Sequence, residues 1–354
     1  MENRWVNLGN MRQNTICKAV LPLNSLCRLF QETLLKVLKV MIHNHDNENI
    51  ITVVFVADNN YAMPVAVTAC SILKHLPPDQ KLNLYILDAG ITSKNIEKII
   101  KSIDLSRCEV NFISTKAQLT EIPLSDHFTE AIFHRLLIPQ LLPQDLHKAI
   151  YLDCDLLVLK DLSMLWNIDM GDNYFLAVQD FTIRTISKGV KDYQLFEIPP
   201  DHSYFNSGVL VFNLDKWRES DIATSVIDYL RKPREVQLFG NQEAMNTLLW
   251  NKWQELDPKW NRQFKTGLEE EQENIDALTE RYGDYSEDIA KNPYIIHFIQ
   301  DTKPWQYYRH PMKKLFYEYL DMTAWSGWRY DVWKVLLRKL PRIFAKNPQS
   351  KKNI

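Results

Sequence analysis

A chain of 354 residues with 24% charged and 45% hydrophobic residues can bury a large core, enough for one big domain with extensions. A formal net charge of -2 excludes the strongly basic balance of a nucleic-acid binder, so no nucleic-acid partner is expected. The five cysteines (Cys17, Cys27, Cys70, Cys108, Cys154) are scattered and form no C-x-x-C pair, which argues for reduced thiols in a cytosolic compartment. They argue equally against a disulfide frame or a zinc site.

Residues 1–48 read as an appendage. Ile16 to Ile42 forms a rough helical stripe broken near Pro22, suited either to docking on the main domain or to anchoring on a surface. No apolar run approaches the ~18 residues of a membrane span, and Glu2, Arg4 and Arg12 precede no continuous apolar stretch of the secretory kind. His43 to Asn49 is polar and reads as a linker.

The main domain begins at Ile51–Ala57, an apolar strand of the parallel-sheet kind that ends in Asp58-Asn59-Asn60-Tyr61. Met63 to Leu76 has helical spacing, Leu82 to Leu87 is a second strand, and Ser93 to Ile103 is a helix capped by Thr92 or Ser93. Glu109 to Ile113 makes a third strand. Strand and helix in alternation predict a three-layer α/β domain with ligands beyond the carboxyl ends of the strands. Only nine glycines occur, with none between Gly9 and Gly90, so a glycine-rich phosphate cradle is excluded at the first strand–helix turn.

Phe133 to Pro139 reads as a short helix whose Arg135 suits either a salt bridge or a diphosphate oxygen. Lys148 to Leu159 reads as buried strand, yet it contains Tyr151-Leu152-Asp153-Cys154-Asp155. Carboxylates there are costly unless their desolvation is offset. Residues i and i+2 of an extended chain share a face, so Asp153 and Asp155 can meet one hard dication, Mn²⁺ or Mg²⁺. An isolated Asp-x-Asp is more often a solvated pair after an edge strand; what sets this one apart lies elsewhere in the chain.

Leu162 to Trp166 is predicted helical, Phe175 to Val178 is a strand ending at Asp180, and Thr182 to Pro200 is a loop and helix over the site. Tyr204 to Leu214 places small polar residues, Asn206-Ser207-Gly208, before a buried strand, and Asn241 to Asn246 is a helix rich in polar groups. Tyr294 to Phe298 is a buried strand bearing His297, a residue that alone is more often a satisfied core histidine than a ligand. Lys303 follows at a distance suited to a phosphate.

Taken together and in order, Asp58-Asn59-Asn60-Tyr61, Phe133-His134-Arg135-Leu136, Tyr151 to Asp155, Phe205 to Val209, Gln242 to Asn246, and His297-Phe298 with Lys303-Pro304-Trp305 resemble one family. It is glycosyltransferase family 8, which includes bacterial lipopolysaccharide galactosyl- and glucosyltransferases and the glycogenins. The resemblance covers roughly residues 50–308. It implies a GT-A type fold, a Rossmann-like mixed sheet flanked by helices, with helical N- and C-terminal extensions. The domains would be an extension at 1–48, a catalytic domain at 49–308 and a basic amphipathic tail at 309–354.

The implied reaction is transfer of a hexose from UDP-galactose or UDP-glucose to a saccharide or lipid-linked glycan, with retention and with Mn²⁺ or Mg²⁺. By the resemblance, Asp153, Asp155 and His297 match metal ligands, and Asp58, Asn60 and Tyr61 match uridine contacts. Arg135 and Lys303 match donor and diphosphate contacts, Asp180 and Asn206 match positions around sugar and acceptor, and Gln242 matches the residue beneath the anomeric carbon. Two departures stand out: Asn241 where the family usually has Asp, and Gln300 where it often has Gly.

The tail interleaves Arg338, Lys339 and Arg342 with Trp333, Leu337 and Phe344, a pattern that suits an anionic membrane surface. A cytoplasmic protein, peripheral on the inner face of the cytoplasmic membrane, is the location this implies. The alternative from another class is a catalytically silent UDP-sugar-binding or scaffolding member, which measurable turnover would exclude; a sugar-phosphate nucleotidyltransferase also uses paired acidic residues and Mg²⁺ but needs a glycine-rich loop after the first strand, which this chain lacks.

Overall fold

Strand β1 (Ile50–Ala57) is apolar on both faces because both faces are covered, and its alternation sorts its residues between two cores. Val53 and Phe55 face one apolar cluster and Val54 the other. The computed structural model describes residues 50–115, 134–231, 240–300 and 302–330; the expected N-terminal extension and the tail beyond Tyr330 lie outside the described residues.

The other strands are β2 (Lys81–Asp88), β3 (Cys108–Ser114), β4 (Lys148–Leu152), β5 (Leu156–Val158), β6 (Phe175–Gln179), β7 (Phe205–Asn213), β8 (Trp253–Glu255), β9 (Arg262–Phe264) and β10 (Ile295–Phe298). Seven of them form one sheet in the order β3-β2-β1-β4-β7-β6-β8, and β5-β10-β9 form a second. The β3-β2-β1-β4 half is parallel, whereas β7 runs antiparallel to both β4 and β6, so the large sheet is mixed.

Helices α1 (Ala62–His75) and α2 (Ser93–Ser102) return the chain between the parallel strands. Thr92 precedes α2 as expected, but its side chain caps nothing; its hydroxyl donates to Asn59 Oδ1 at 2.9 Å and ties α2 to the loop after β1. Two hydroxyls of α1 reach the small sheet: Thr68 Oγ1 donates to the Leu156 carbonyl at 2.8 Å, and Ser71 Oγ accepts from Val158 N–H at 3.0 Å. On the opposite face of the large sheet lie α3 (Leu214–Glu219), α4 (Ile222–Arg231) and α5 (Gly240–Leu248), around Trp217, Phe212 and Phe175. Farther along come α6 (Leu268–Tyr282), α7 (Tyr285–Lys291) and α8 (Lys313–Leu320).

The expected single strand from Lys148 to Leu159 is two strands in two sheets. The chain bends at Asp153-Cys154-Asp155, so the paired carboxylates sit in the joint between sheets rather than on a regular strand. The segment Lys313 to Trp325 packs on the body: Phe316, Tyr319, Leu320 and Trp325 belong to the main core, and Tyr319 Oη meets His75 Nε2 at 2.7 Å. Each large apolar side chain buried in this way contributes roughly 1.5–3 kcal/mol.

Candidate functional site

The loop after β1 is built by its own first residue. Asp58 Oδ1 accepts from the backbone N–H of Asn60 at 2.9 Å and of Tyr61 at 3.1 Å, and Oδ2 accepts from Asn60 Nδ2 at 3.1 Å. That closes an Asx turn and turns the half-buried Tyr61 ring edge-on to Trp305 at 6.2 Å. Burial first, and then the nearby charges led by Asp155, Cys154 and Asp153, push the Tyr61 phenol well above its ordinary pKa.

The joint itself is held from three sides. Asp153 N–H donates to the Gly208 carbonyl at 2.8 Å, where β7 shifts register against β6: Ala177 pairs Leu210, but Val178 pairs Asn206. The residues between, Ser207 to Val209, bulge toward β4 and the aspartates, and a β-bulge of this kind re-aims the chain at a site. A Cβ on Gly208 would collide with the His297 ring, so only glycine lets strand and ring approach this closely. Cys154 points the other way and its thiol donates to the Val56 carbonyl at 3.1 Å.

Each carboxylate divides its two oxygens between two kinds of partner. Asp153 Oδ1 accepts from Arg135 Nη2 at 3.0 Å and from Tyr151 Oη at 2.5 Å, while Oδ2 lies 3.7 Å from His297 Nε2. Asp155 Oδ2 pairs with Lys303 Nζ at 2.7 Å, while Oδ1 lies 3.3 Å from His297 Nε2. Burial alone would raise the Asp155 pKa; Lys303 and His297 outweigh it and hold the carboxyl well below the usual range. Ligand atoms of Asp153, Asp155 and His297 all lie within 4.8 Å of one another. Two carboxylate oxygens and one imidazole nitrogen are a donor set that suits a hard or borderline dication. With Arg135 and Lys303 already balancing the two carboxylates, a dication there would leave a net positive centre.

Both terminal nitrogens of Arg135 are held by the protein, while its buried Nε has no hydrogen-bond partner. Besides Asp153, its guanidinium donates to Ser207 Oγ at 2.6 Å and to the Ser207 carbonyl at 3.2 Å, over the Tyr151 ring at 5.0 Å. The salt bridge weighed as one reading of this residue is therefore present. Lys303 is likewise held, by Asp155 and by the Phe298 carbonyl at 2.5 Å.

Gln242, near the start of α5, is pinned by both ends of its amide. Its Oε1 accepts from Ser207 N–H at 2.9 Å and Ser207 Oγ at 3.0 Å, and its Nε2 donates to Asp180 Oδ2 at 3.2 Å. Asp180 accepts on Oδ1 from the backbone of Thr182 and Ile183, each at 2.9 Å, and on Oδ2 also from Asn206 Nδ2 at 3.0 Å. The structure thus gathers Asp153, Asp155, His297, Lys303 and Arg135 around one point, and joins Asp180, Asn206 and Gln242 beside it through Ser207. Asp58, Asn60 and Tyr61 border the group at the end of β1. The side chain of Asn241 lies outside the described residues. Gln300 adopts a left-handed φ of 75° and accepts from Thr266 N–H at 3.2 Å.

Ser207, Tyr151 and Asn261 were not singled out by sequence reasoning. Asn261 is fully buried and bonds both Asn206 and His297. Its neighbours Lys259 and Arg262 are charged, so no hydrophobic pattern marks the segment.

The family model described as glycosyl transferase family 8 matches residues 52–309. General stress protein A of Bacillus subtilis is 28% identical over 284 residues, 79% of this chain and 96% of that protein. Glycosyltransferase GlyE of Streptococcus pneumoniae is 26% identical over 280 residues, 77% of this chain but 61% of the longer GlyE. In structure, galactosyltransferase LgtC in complex with donor and acceptor sugar analogs superposes with a TM-score of 0.64 at 24% identity, over 80% of this chain and 99% of LgtC. That likeness places the mixed sheet and its flanking helices in the GT-A fold.

Proposed function

The chain belongs to glycosyltransferase family 8, and from that premise we propose that it transfers a hexose, galactose or glucose, from a UDP-sugar to a saccharide or lipid-linked glycan with retention of configuration. The observation that carries the proposal is the division of labour in the two carboxylates: outer oxygens neutralised by Arg135 and Lys303, inner oxygens turned with His297 Nε2 toward one point. Asp153, Asp155 and His297 would hold Mn²⁺ or Mg²⁺. When bound, the ion would supply Lewis-acid stabilisation of the charge that develops on the β-phosphate as UDP leaves.

The remaining roles belong to the chain's own groups. Tyr61 offers an aromatic face for the base, with Asp58 and Asn60 beside it for the uridine. Lys303 brings a fixed positive charge to the side where the diphosphate departs. Arg135 contributes to the donor site by holding Asp153 in orientation through its guanidinium.

Retention through a double displacement needs a free carboxylate near the anomeric carbon. Gln242 is the residue matched to that position, and its oxygen is already bound to Ser207; both oxygens of Asp180 are also taken. This supports front-face attack by the acceptor hydroxyl through a short-lived oxocarbenium ion pair, with the departing phosphate accepting the proton. Isolation of a glycosyl adduct on Asp180 or Glu243 of the unmodified protein would overturn it.

Among the described residues no helix is long and apolar enough to cross a membrane. We assign the basic tail beyond Tyr330 to an anionic membrane surface at the inner face of the cytoplasmic membrane, a reading supported by its composition. The test of function is incubation of purified protein with Mn²⁺ and a panel of UDP- and GDP-sugars, beside an Asp153→Ala/Asp155→Ala control. UDP release confined to one UDP-hexose and lost in the control is expected. Metal-dependent donor binding without turnover on any acceptor would favour the silent scaffold instead.

A further inference from the structure

We infer that Asn261 is a positioning residue that fixes the tautomer of His297, and that it does so as the middle link of a buried relay running from Asp180 through Asn206. The inference rests on the metal reading of Asp153, Asp155 and His297. Amide orientation and histidine tautomers are ordinarily ambiguous from heavy atoms alone, but here backbone donors remove the ambiguity at the start of the chain. The backbone N–H of Gly208 can only donate, and it lies 3.0 Å from Asn206 Oδ1, so that atom is the oxygen. The other end of the same amide, Nδ2, donates to Asp180 Oδ2 at 3.0 Å, and Asp180 is an acceptor because the backbone of Thr182 and Ile183 donates to it.

Asn206 Oδ1 takes a second contact from Asn261 at 2.9 Å, which must therefore come from the Asn261 amide nitrogen. That leaves Asn261 Oδ1 facing His297 Nδ1 at 3.0 Å, and an oxygen there accepts. His297 consequently carries a proton on Nδ1, which leaves Nε2, between Asp153 Oδ2 and Asp155 Oδ1, as the nitrogen available to a metal. A metal-binding imidazole needs this state, and an outer partner on its second nitrogen both selects the tautomer and holds the ring. Asn261 is fully buried and His297 nearly so, which leaves no solvent to reset either group. The same relay reaches Gln242, because Asp180 Oδ2 also accepts from Gln242 Nε2. The ring that faces the metal position and the amide matched to the anomeric carbon are thereby oriented by one carboxylate.

Two measurements test this. Long-range ¹H–¹⁵N correlation on the full-length protein labelled with ¹⁵N-histidine reads the tautomer directly, with His297 assigned by its loss in His297→Gln. A proton on Nδ1 is expected in the metal-free parent; a proton on Nε2 with none on Nδ1 overturns the inference, and this arm needs no variant of Asn261 to fold. Mn²⁺ titration followed by EPR is the second measurement, on the parent, Asn261→Leu and Asn261→Asp. Asn261→Leu should weaken binding roughly 10–100-fold and move the His297 proton off Nδ1. Asn261→Asp keeps an acceptor at the ring but loses the donor to Asn206 Oδ1, so it should retain the proton on Nδ1 and bind Mn²⁺ more tightly than Asn261→Leu yet more weakly than the parent. A parent that binds no Mn²⁺ overturns the metal reading and the purpose of Asn261 with it. A parent that binds beside an Asn261→Leu variant that binds equally overturns the assignment of Asn261 alone.

Discussion

The parallel half of the large sheet and the seam where β7 meets the small sheet are equally buried but are built from different chemistry. In β1, β2 and α1 the buried residues are almost all hydrocarbon, with Thr52, Thr68 and Ser71 as the polar exceptions. At the seam the buried set includes Asp180, Asn206, Asn261, Gln263, His297 and Lys303. The first region is held by burial that no single pair decides. The second is held by donors and acceptors that satisfy one another, and an interior of that kind fails when one partner is lost. Stability and site geometry should therefore separate in the first region and move together in the second.

The largest expected effects come from one substitution in each region. Phe55→Ala, in the apolar half, should cost about 3–5 kcal/mol of stability and leave the Mn²⁺ affinity of the folded fraction within twofold of the parent. Asp155→Ala should cost a similar amount, about 3–5 kcal/mol, because it leaves the buried Lys303 ammonium without its carboxylate. Unlike Phe55→Ala, it should also abolish Mn²⁺ binding. Urea unfolding and an EPR titration on the same samples give both numbers. If Phe55→Ala lost metal affinity while still folded, the two regions would not be separable in the way the chemistry suggests.

The same division explains what was legible in the sequence. The β1, α1, β2, α2 and β3 segments were readable because hydrophobic period decides them, and their ends fell within a residue or so of the expected places. The motif residues were readable only as an ordered set, since Asp-x-Asp alone carries little information. Three features were hidden. The bend at Asp153 to Asp155 divides one apolar run between two sheets, and nothing in a run of buried residues says which sheet receives its second half. Arg135 was read with two open partners because a guanidinium satisfies a carboxylate or a phosphate equally well. Asn261 sits in Lys259-Trp260-Asn261-Arg262-Gln263, a mostly polar stretch in which no apolar period marks burial. It is buried because the charges on either side are paired, Lys259 with Asp288 and Arg262 with Glu271. Pairing across such distances in the chain leaves no local trace.

A smaller effect is expected where an apolar wall meets the seam. His310 packs between the rings of Phe264 and Phe298, with Nδ1 accepting from Met312 N–H at 3.1 Å. Burial, helped by the charge of Lys303, lowers its pKa from 6.5 to about 4. Because folding lowers this pKa, the unfolded chain takes up the proton first as the pH falls. The contribution to stability is full above about 6.5 and is lost as the pH drops toward about 4. Allowing for solvent screening, His310→Phe should remove about 2 kcal/mol of acid sensitivity between pH 7 and pH 4. An unchanged slope of urea stability against pH across that window would place the acid sensitivity elsewhere.

The smallest expected effect sharpens the comparison most, because it sets backbone strain against side-chain bonding at a single residue. Gln300 holds a left-handed φ of 75°, a region that costs a non-glycine residue on the order of 1 kcal/mol. What its side chain gains is one hydrogen bond, accepted from the exposed Thr266 N–H at 3.2 Å. Gln300→Ala keeps the strain and deletes the bond, so it should lower stability by about 0.5–1 kcal/mol. Gln300→Gly also deletes the bond but removes the strain, and it adds freedom to the unfolded chain worth roughly 0.5–1 kcal/mol in the opposite direction. Its urea midpoint should therefore match the parent within about 0.5 kcal/mol. The two variants differ in donor binding as well. If the backbone here approaches a diphosphate, Gln300→Gly should lower the KM for the nucleotide sugar, because nothing then shields the backbone N–H groups. A raised KM with both Gln300→Ala and Gln300→Gly would show that the side chain, and not the backbone, meets the donor.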